Sequence, residues 1–159
     1  MRIGYGYDSH RFAEGRRLVL GGVEFAGETG LLGHSDADVL THAIIDALFG
    51  AAALGDIGSH FPDTDAKWKD ADSTKLLSAA VTELRAAGHE IANVDATVIC
   101  ERPRLGPRID EMRQRLAAAM GVGIDAVSVK GKTNEGLDDI GAGRGIAVHA
   151  VALLFERFE

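Results

Sequence analysis

Histidines and carboxylates are spaced in the first third of the chain as if to act together. His34-Ser35-Asp36-Ala37-Asp38 precedes a segment carrying His42 and Asp46, and Asp8-Ser9-His10 lies upstream. On a helix, Asp38, His42 and Asp46 stand four apart and share a face. On a strand, Asp8 and His10 project together while Ser9 points away. Imidazole beside carboxylate is metal-ligand chemistry, and a free helix N-terminus next to it suits an anion. Each piece alone also describes something plainer: a solvated helix face with one satisfied histidine, or an Asp-His pair of surface neighbours.

Three further stretches are dense in polar groups. Gly55-Asp56-Ile57-Gly58-Ser59-His60-Phe61-Pro62-Asp63-Thr64-Asp65 combines acids, glycines and a proline around Phe61. Such a loop suits polyol or ribose hydroxyls. It lacks the alternating Asp/Asn pattern of an EF-hand, which argues against calcium. Glu101-Arg102-Pro103-Arg104-Leu105-Gly106-Pro107 could hold a flat ligand through backbone groups, with Arg104 near phosphate; it also reads as an ordinary strand-to-helix connection. Thr133-Asn134-Glu135-Gly136, with Lys130 and Lys132 before it, places a hydroxyl, an acid and cations at a strand end, which suits a phosphate-metal site.

The elements that must position these groups follow from periodicity. Arg2 to Arg11 reads as a strand with Gly4 and Gly6 on one face. Residues 17–25 read as a short hairpin about Gly21-Gly22. Asp36 to Leu54 reads as a helix capped by Ser35, with Val39, Leu40, Ala43, Ile44, Ala47 and Leu48 as its apolar stripe. Lys67 to Asp72 reads as a mobile polar link containing Trp68. Ser73 is expected to cap a second helix that Gly88 ends. In the strand from Ile91 to Cys100, Ala92, Val94, Ala96, Val98 and Cys100 share one face. Pro107 suits the first turn of a third helix, which ends at Gly121. Ala126 to Lys132 is a strand. The last strand, Ile146 to Phe155, is apolar on both faces except for His149, so it should be covered on both sides, one cover being another subunit. The expected fold class is α+β: a mixed four-stranded sheet with helices packed on one face, plus a short hairpin.

The 159 residues, 46% hydrophobic and 26% charged, fit one domain over 1–159. The net charge of −7 argues against a nucleic-acid surface, so an anionic substrate must be attracted locally. The lone Cys100 allows no intrachain disulfide and suggests a reducing, cytoplasmic location. The first residues lack a signal-peptide core, and no apolar run is long enough to span a membrane. There is no P-loop, no dinucleotide fingerprint, no nucleophile elbow and no zinc-ribbon cysteine spacing.

Taken in order, Asp8-x-His10, His34-Ser35-Asp36-x-Asp38 with His42, Gly55-Asp56-Ile57-Gly58 with Phe61-Pro62-Asp63-Thr64-Asp65, and Lys130-x-x-Thr133-x-Glu135 make the whole chain resemble the 2-C-methyl-D-erythritol 2,4-cyclodiphosphate synthase family. The resemblance implies a homotrimer with active sites at subunit interfaces. It implies cyclisation of 4-diphosphocytidyl-2-C-methyl-D-erythritol 2-phosphate with loss of CMP. Asp8, His10 and His42 resemble ligands of the family's zinc, with Asp46 proposed from its position as their support. Glu135 resembles a ligand of a second ion, magnesium or manganese. His34 and Thr133 resemble the catalytic groups that place and steady the phosphates. Ser35 resembles a phosphate contact; Asp56, Ile57 and Gly58 the ribose side; Phe61, Asp63 and Asp65 the erythritol loop. Cys100, Pro103, Arg104, Leu105 and Gly106 resemble the cytosine pocket, Arg104 standing where lysine is usual. Lys132 stands beside the site where threonine is common. Gly141-Ala142-Gly143-Arg144-Gly145 departs from the family's Gly-Arg-Gly-Glu-Gly, so Ala142 lacks the arginine that in some members binds an isoprenoid diphosphate at the trimer centre. The competing readings are a metal-dependent phosphoester hydrolase and a non-catalytic metal- or nucleotide-binding trimer.

Overall fold

A computed structural model describes residues 1–157; the last two residues of the expected domain lie outside the described residues. Its elements run β1 (Arg2–Ala13), β2 (Val19–Leu20), β3 (Val23–Glu24), β4 (Gly30–Leu31), α1 (Val39–Ala52), α2 (Ile57–His60), α3 (Ser73–Ala86), β5 (His89–Ile99), α4 (Ile109–Met120), β6 (Val127–Lys132), α5 (Asp138–Gly141) and β7 (Gly145–Glu156). The main sheet has five strands rather than the expected four, in the order β4-β1-β7-β5-β6. The extra strand is two residues long: Gly30 and Leu31 pair antiparallel with Ala13 and Phe12. It was not legible because a two-residue strand has no periodicity. Only β5 and β6 run parallel, so the sheet is mixed. The hairpin of β2 and β3 stands apart from it.

The chain leaves β1 and returns as α1 directly across β1 and β7. The approach is possible because Gly4 and Gly6 have no side chains. A Cβ at Gly4 would collide with the Ala47 carbonyl oxygen, and one at Gly6 with that of Ala43. Around this contact Leu40, Ile44, Ile45, Leu48 and Phe49 of α1 are fully buried, joined by Leu77 and Leu84 of α3 and Met112 and Leu116 of α4. Each such side chain contributes about 1.5–3 kcal/mol of burial.

Helix α1 begins later than expected and has a different cap. Residues 34–38 form a turn in which Ala37 takes a φ of 57°. Asp38 then caps the helix, accepting from the Thr41 backbone N–H at 3.0 Å. Its carboxylate also accepts from the Thr41 hydroxyl and from the backbone N–H groups of Gly21 and Gly22, at 2.7, 2.8 and 2.7 Å. Asp38 therefore ties the hairpin turn to α1 and does not share a solvated face with His42. Similarly, Asp72 rather than Ser73 caps α3, accepting from the Thr74 backbone N–H. A bulge between Ile91 and Asn93 puts Ile91, not Ala92, on the inward face of β5. Trp68 is packed edge-on against Phe61, with ring centres 5.1 Å apart, which ties down the link expected to be mobile.

The face of the sheet opposite the helices exposes Ile3, Tyr5 and Tyr7 of β1 and Val151 and Phe155 of β7; Ile3 is 74% exposed. The Tyr5 hydroxyl lies 2.7 Å from His149 Nδ1 on that face. Within the chain, the last strand is thus covered on one side only.

Replacing Gly6 by Ala forces a methyl into the α1 backbone. Denaturant titration at fixed protein concentration should show a loss of at least about 1–3 kcal/mol; an unchanged midpoint would mean that α1 does not sit on β1 this closely.

Candidate active site

The close packing of α1 on β1 brings His42 over Asp8 and His10. Candidate ligand atoms of all three lie within 4.8 Å of one another. Asp8 Oδ2 is 3.0 Å from His10 Nε2 and 3.1 Å from His42 Nδ1. Burial alone would raise the Asp8 carboxyl, but hydrogen bonds and charge from the two imidazoles hold it at about 2. Burial works against the charged form of His10, yet Asp8 raises its pKa above the ordinary value.

The Leu32 carbonyl, which can only accept, lies 2.6 Å from His10 Nδ1. His10 Nδ1 therefore carries the hydrogen, and in the neutral ring the Nε2 lone pair faces Asp8. On His42, Nε2 is engaged by hydroxyls, Ser73 Oγ at 2.8 Å and Ser35 Oγ at 3.2 Å, while Nδ1 faces Asp8. Two imidazole nitrogens and a carboxylate oxygen thus converge, and a cation is the species that satisfies all three. The set fits a divalent metal with three protein ligands and a remaining position for another oxygen.

These residues open into a cleft of about 540 Å³. Its lining includes His34, Ser35, Asp46, Ile57, Phe61 and Asp63, with Gly58 beside them. His34 Nε2 donates to the Asp65 carbonyl at 3.2 Å, binding the turn before α1 to the 55–65 loop. Asp46, expected to support the metal ligands, makes no hydrogen bond to them among the described residues. It accepts from the Ile57 backbone N–H at 2.8 Å and so anchors that loop. Burial, aided by the charges of Asp56 and Asp8, raises the Asp46 carboxyl. Asp56 and Asp65 stand at the rim as helix caps. Asp56 accepts from the backbone N–H and hydroxyl of Ser59, which lowers its pKa; Asp65 accepts from the Lys67 backbone N–H, with the same effect.

Most of the remaining predicted residues, though not Glu135, line a second, separate cleft of about 400 Å³. Cys100, Pro103, Arg104, Leu105 and Gly106 line it together with Lys132 and Thr133. Here the strand end of β5 meets that of β6, the Cys100 backbone N–H donating to the Lys132 carbonyl at 2.9 Å. Burial pushes the Cys100 thiol up to about 11, so it is a poor nucleophile. Thr133 Oγ1 donates to Glu135 Oε1 at 3.1 Å, and both side chains are exposed. Lys130 is turned away from this end and pairs with Asp95. Arg144 is exposed and pairs with Asp139 at 2.6 Å.

Sequence reasoning missed three contributors. Leu32 acts through its carbonyl, which side-chain identity cannot reveal. Trp68 lines the first cleft, though helical or strand periodicity gives no sign of it. Ser73 reads as a helix cap, and a serine beside a helix start carries no mark of a second role.

The model of the YgbB family matches residues 1–155. The 2-C-methyl-D-erythritol 2,4-cyclodiphosphate synthase of Salinibacter ruber is 58% identical over 97% of this chain and 98% of its own length. A solved 2C-methyl-D-erythritol-2,4-cyclodiphosphate synthase in a CDP-bound form superposes with a TM-score of 0.88 and 40% identity, over 97% of this chain and all of that one. The bifunctional IspDF of Campylobacter jejuni gives a TM-score of 0.94 at 40% identity, with this chain matching 42% of it.

Equilibrium dialysis against zinc should find one high-affinity site per chain, lost in His42→Ala. Retention of that site by the folded variant would remove His42 from the ligand set.

Proposed function

The chain belongs to the YgbB family, and on that premise we propose that it is a metal-dependent cyclase. It converts 4-diphosphocytidyl-2-C-methyl-D-erythritol 2-phosphate to 2-C-methyl-D-erythritol 2,4-cyclodiphosphate and CMP, a step of non-mevalonate isoprenoid synthesis. The observation that carries this reading is the convergence of Asp8, His10 and His42 at the floor of a ligand-sized cleft, in a chain so similar to cyclodiphosphate synthases along its length.

In the reaction an oxygen of the 2-phosphate bonds to the β-phosphorus, the bond from that phosphorus to the α–β bridging oxygen breaks, and CMP leaves with that oxygen. Nucleophile and electrophile are both anionic, so charge repulsion dominates the barrier. Zinc held by Asp8, His10 and His42, and magnesium or manganese held by Glu135, would offset that charge and polarise the phosphorus. The Ser35 hydroxyl donates to the phosphate at the cleft mouth, and His34 helps to place it. Thr133 steadies the transferring phosphate from the β6 end, and Lys132 adds positive charge. Asp56, Ile57 and Gly58 take the ribose; Phe61, Asp63 and Asp65 enclose the erythritol; Cys100, Pro103, Arg104, Leu105 and Gly106 read the cytosine. Folding the substrate on itself supplies proximity, which contributes roughly 7–11 kcal/mol in well-oriented cases. No protein nucleophile is required.

A single molecule of this substrate must reach groups that lie in two clefts of one chain. Assembly as a homotrimer answers this, with one subunit's first cleft facing another's second. The exposed Ile3, Tyr5, Tyr7, Val151 and Phe155 supply an apolar face for it. On this reading residues 1–159 belong to a single cyclase domain. Among the described residues no helix is long and apolar enough to cross a membrane, and the buried Cys100 thiol suits a reducing cytoplasm.

Phosphorus NMR of the protein with this substrate and magnesium should show the cyclic diphosphate and equimolar CMP, both absent with His42→Ala. CMP with only open-chain phosphates would mean hydrolysis, and no turnover by folded, metal-replete protein would leave a binding module. Light scattering should give three chains per particle, and Tyr5→Glu should lower that number; a monomeric wild-type protein would contradict the shared site.

A further inference from the structure

We propose that Ser73 and Asp36 are a positioning pair that fixes the tautomer and orientation of His42 for metal binding. The proposal rests on the cation-site reading above and concerns residues to which neither the metal set nor the substrate contacts assign a role.

Ser73 is fully buried, and its hydroxyl has one hydrogen to give. Asp36 Oδ1, which only accepts, lies 2.5 Å from Ser73 Oγ, and Oδ2 accepts the Ser73 backbone N–H at 3.0 Å. The Ser73 hydrogen is therefore committed to Asp36, and the oxygen presents lone pairs to His42 Nε2 at 2.8 Å. His42 Nε2 must donate, so Nδ1 holds the lone pair that faces Asp8. On His10 the roles of the two nitrogens are reversed, because the Leu32 carbonyl lies against Nδ1. The two rings thus reach one point through opposite nitrogens, and each tautomer is set by a partner on its far side. Groups placed this way raise ligand basicity and hold ring angle.

Two features separate this from ordinary helix capping. The capping is done by Asp72, so α3 does not need the Ser73 side chain for its terminus. Asp36 is held twice by Ser73 and, through its own N–H, by the Ala71 carbonyl at 3.1 Å, which fixes the carboxylate in place. Ser35, the longer contact at 3.2 Å, is left with its hydroxyl hydrogen free to donate into the cleft.

The test is zinc affinity by competition with a chromogenic chelator. Ser73→Ala and Asp36→Asn should each weaken zinc by roughly 10–100-fold, and the double variant no more than the weaker single, since both break one relay. Thr74→Val, whose hydroxyl bonds only Asp72 at the same helix end, should keep wild-type affinity. Nitrogen-15 NMR of the zinc-free protein should show His42 protonated on Nε2, a preference lost in Ser73→Ala. Wild-type zinc affinity in folded Ser73→Ala, or in Asp36→Asn should the serine variant not fold, would overturn the proposal while leaving the metal site standing. A wild-type protein that binds no zinc would overturn the cation-site reading and this pair with it.

Discussion

Everything in the candidate site depends on how closely one helix can lie against one strand. Helix α1 rests on the backbone of β1 where Gly4 and Gly6 leave no side chain between them. That contact sets the height of His42 above Asp8 and His10, a spacing that no single element fixes alone. The strand supplies two ligands by alternation, the helix supplies the third, and the absence of two methyl groups brings them within reach. The buried stripe of α1 then stabilises an arrangement that its polar groups would oppose.

Those polar groups are arranged to be completed by a cation. With the outer nitrogen of each imidazole spoken for, the inner ones converge on a carboxylate oxygen already held well below its usual protonation range. In a chain of net charge −7, a cation held here would be the local means by which the proposed reaction draws in polyanionic phosphates. The surrounding carboxylates have been given other work. Asp38 holds the hairpin, Asp46 holds the 55–65 loop, and Asp36 holds Ser73, so three acids near the centre stabilise structure rather than repel substrate.

Much of the scaffold was legible in the sequence because it rests on periodicity. The Asp8–His10 alternation, the apolar stripe of α1, the Gly21-Gly22 turn and the Gly121 helix end follow from local spacing. What was not legible depends on geometry between elements. Ser35 and Asp38 are both good caps on paper, and only the position of the β2–β3 hairpin decides for Asp38. The bulge in β5 shifts the inward face by one residue at Ile91, which alternation cannot foresee. Asp46 shares a helix face with His42, yet the nearby Ile57 N–H captures it. Motif spacing named part of the lining of each cleft, missing Trp68 among others, and it carried no sign that one chain would keep the clefts apart.

A metal centre at the β1–α1 contact is what the proposed chemistry requires first. The most direct measurement is anomalous diffraction at the zinc edge from crystals grown with zinc. A single strong peak per chain at about 2.0–2.2 Å from an Asp8 carboxylate oxygen, His10 Nε2 and His42 Nδ1 is the predicted result. Zinc bound elsewhere, with none among these three side chains, would contradict it.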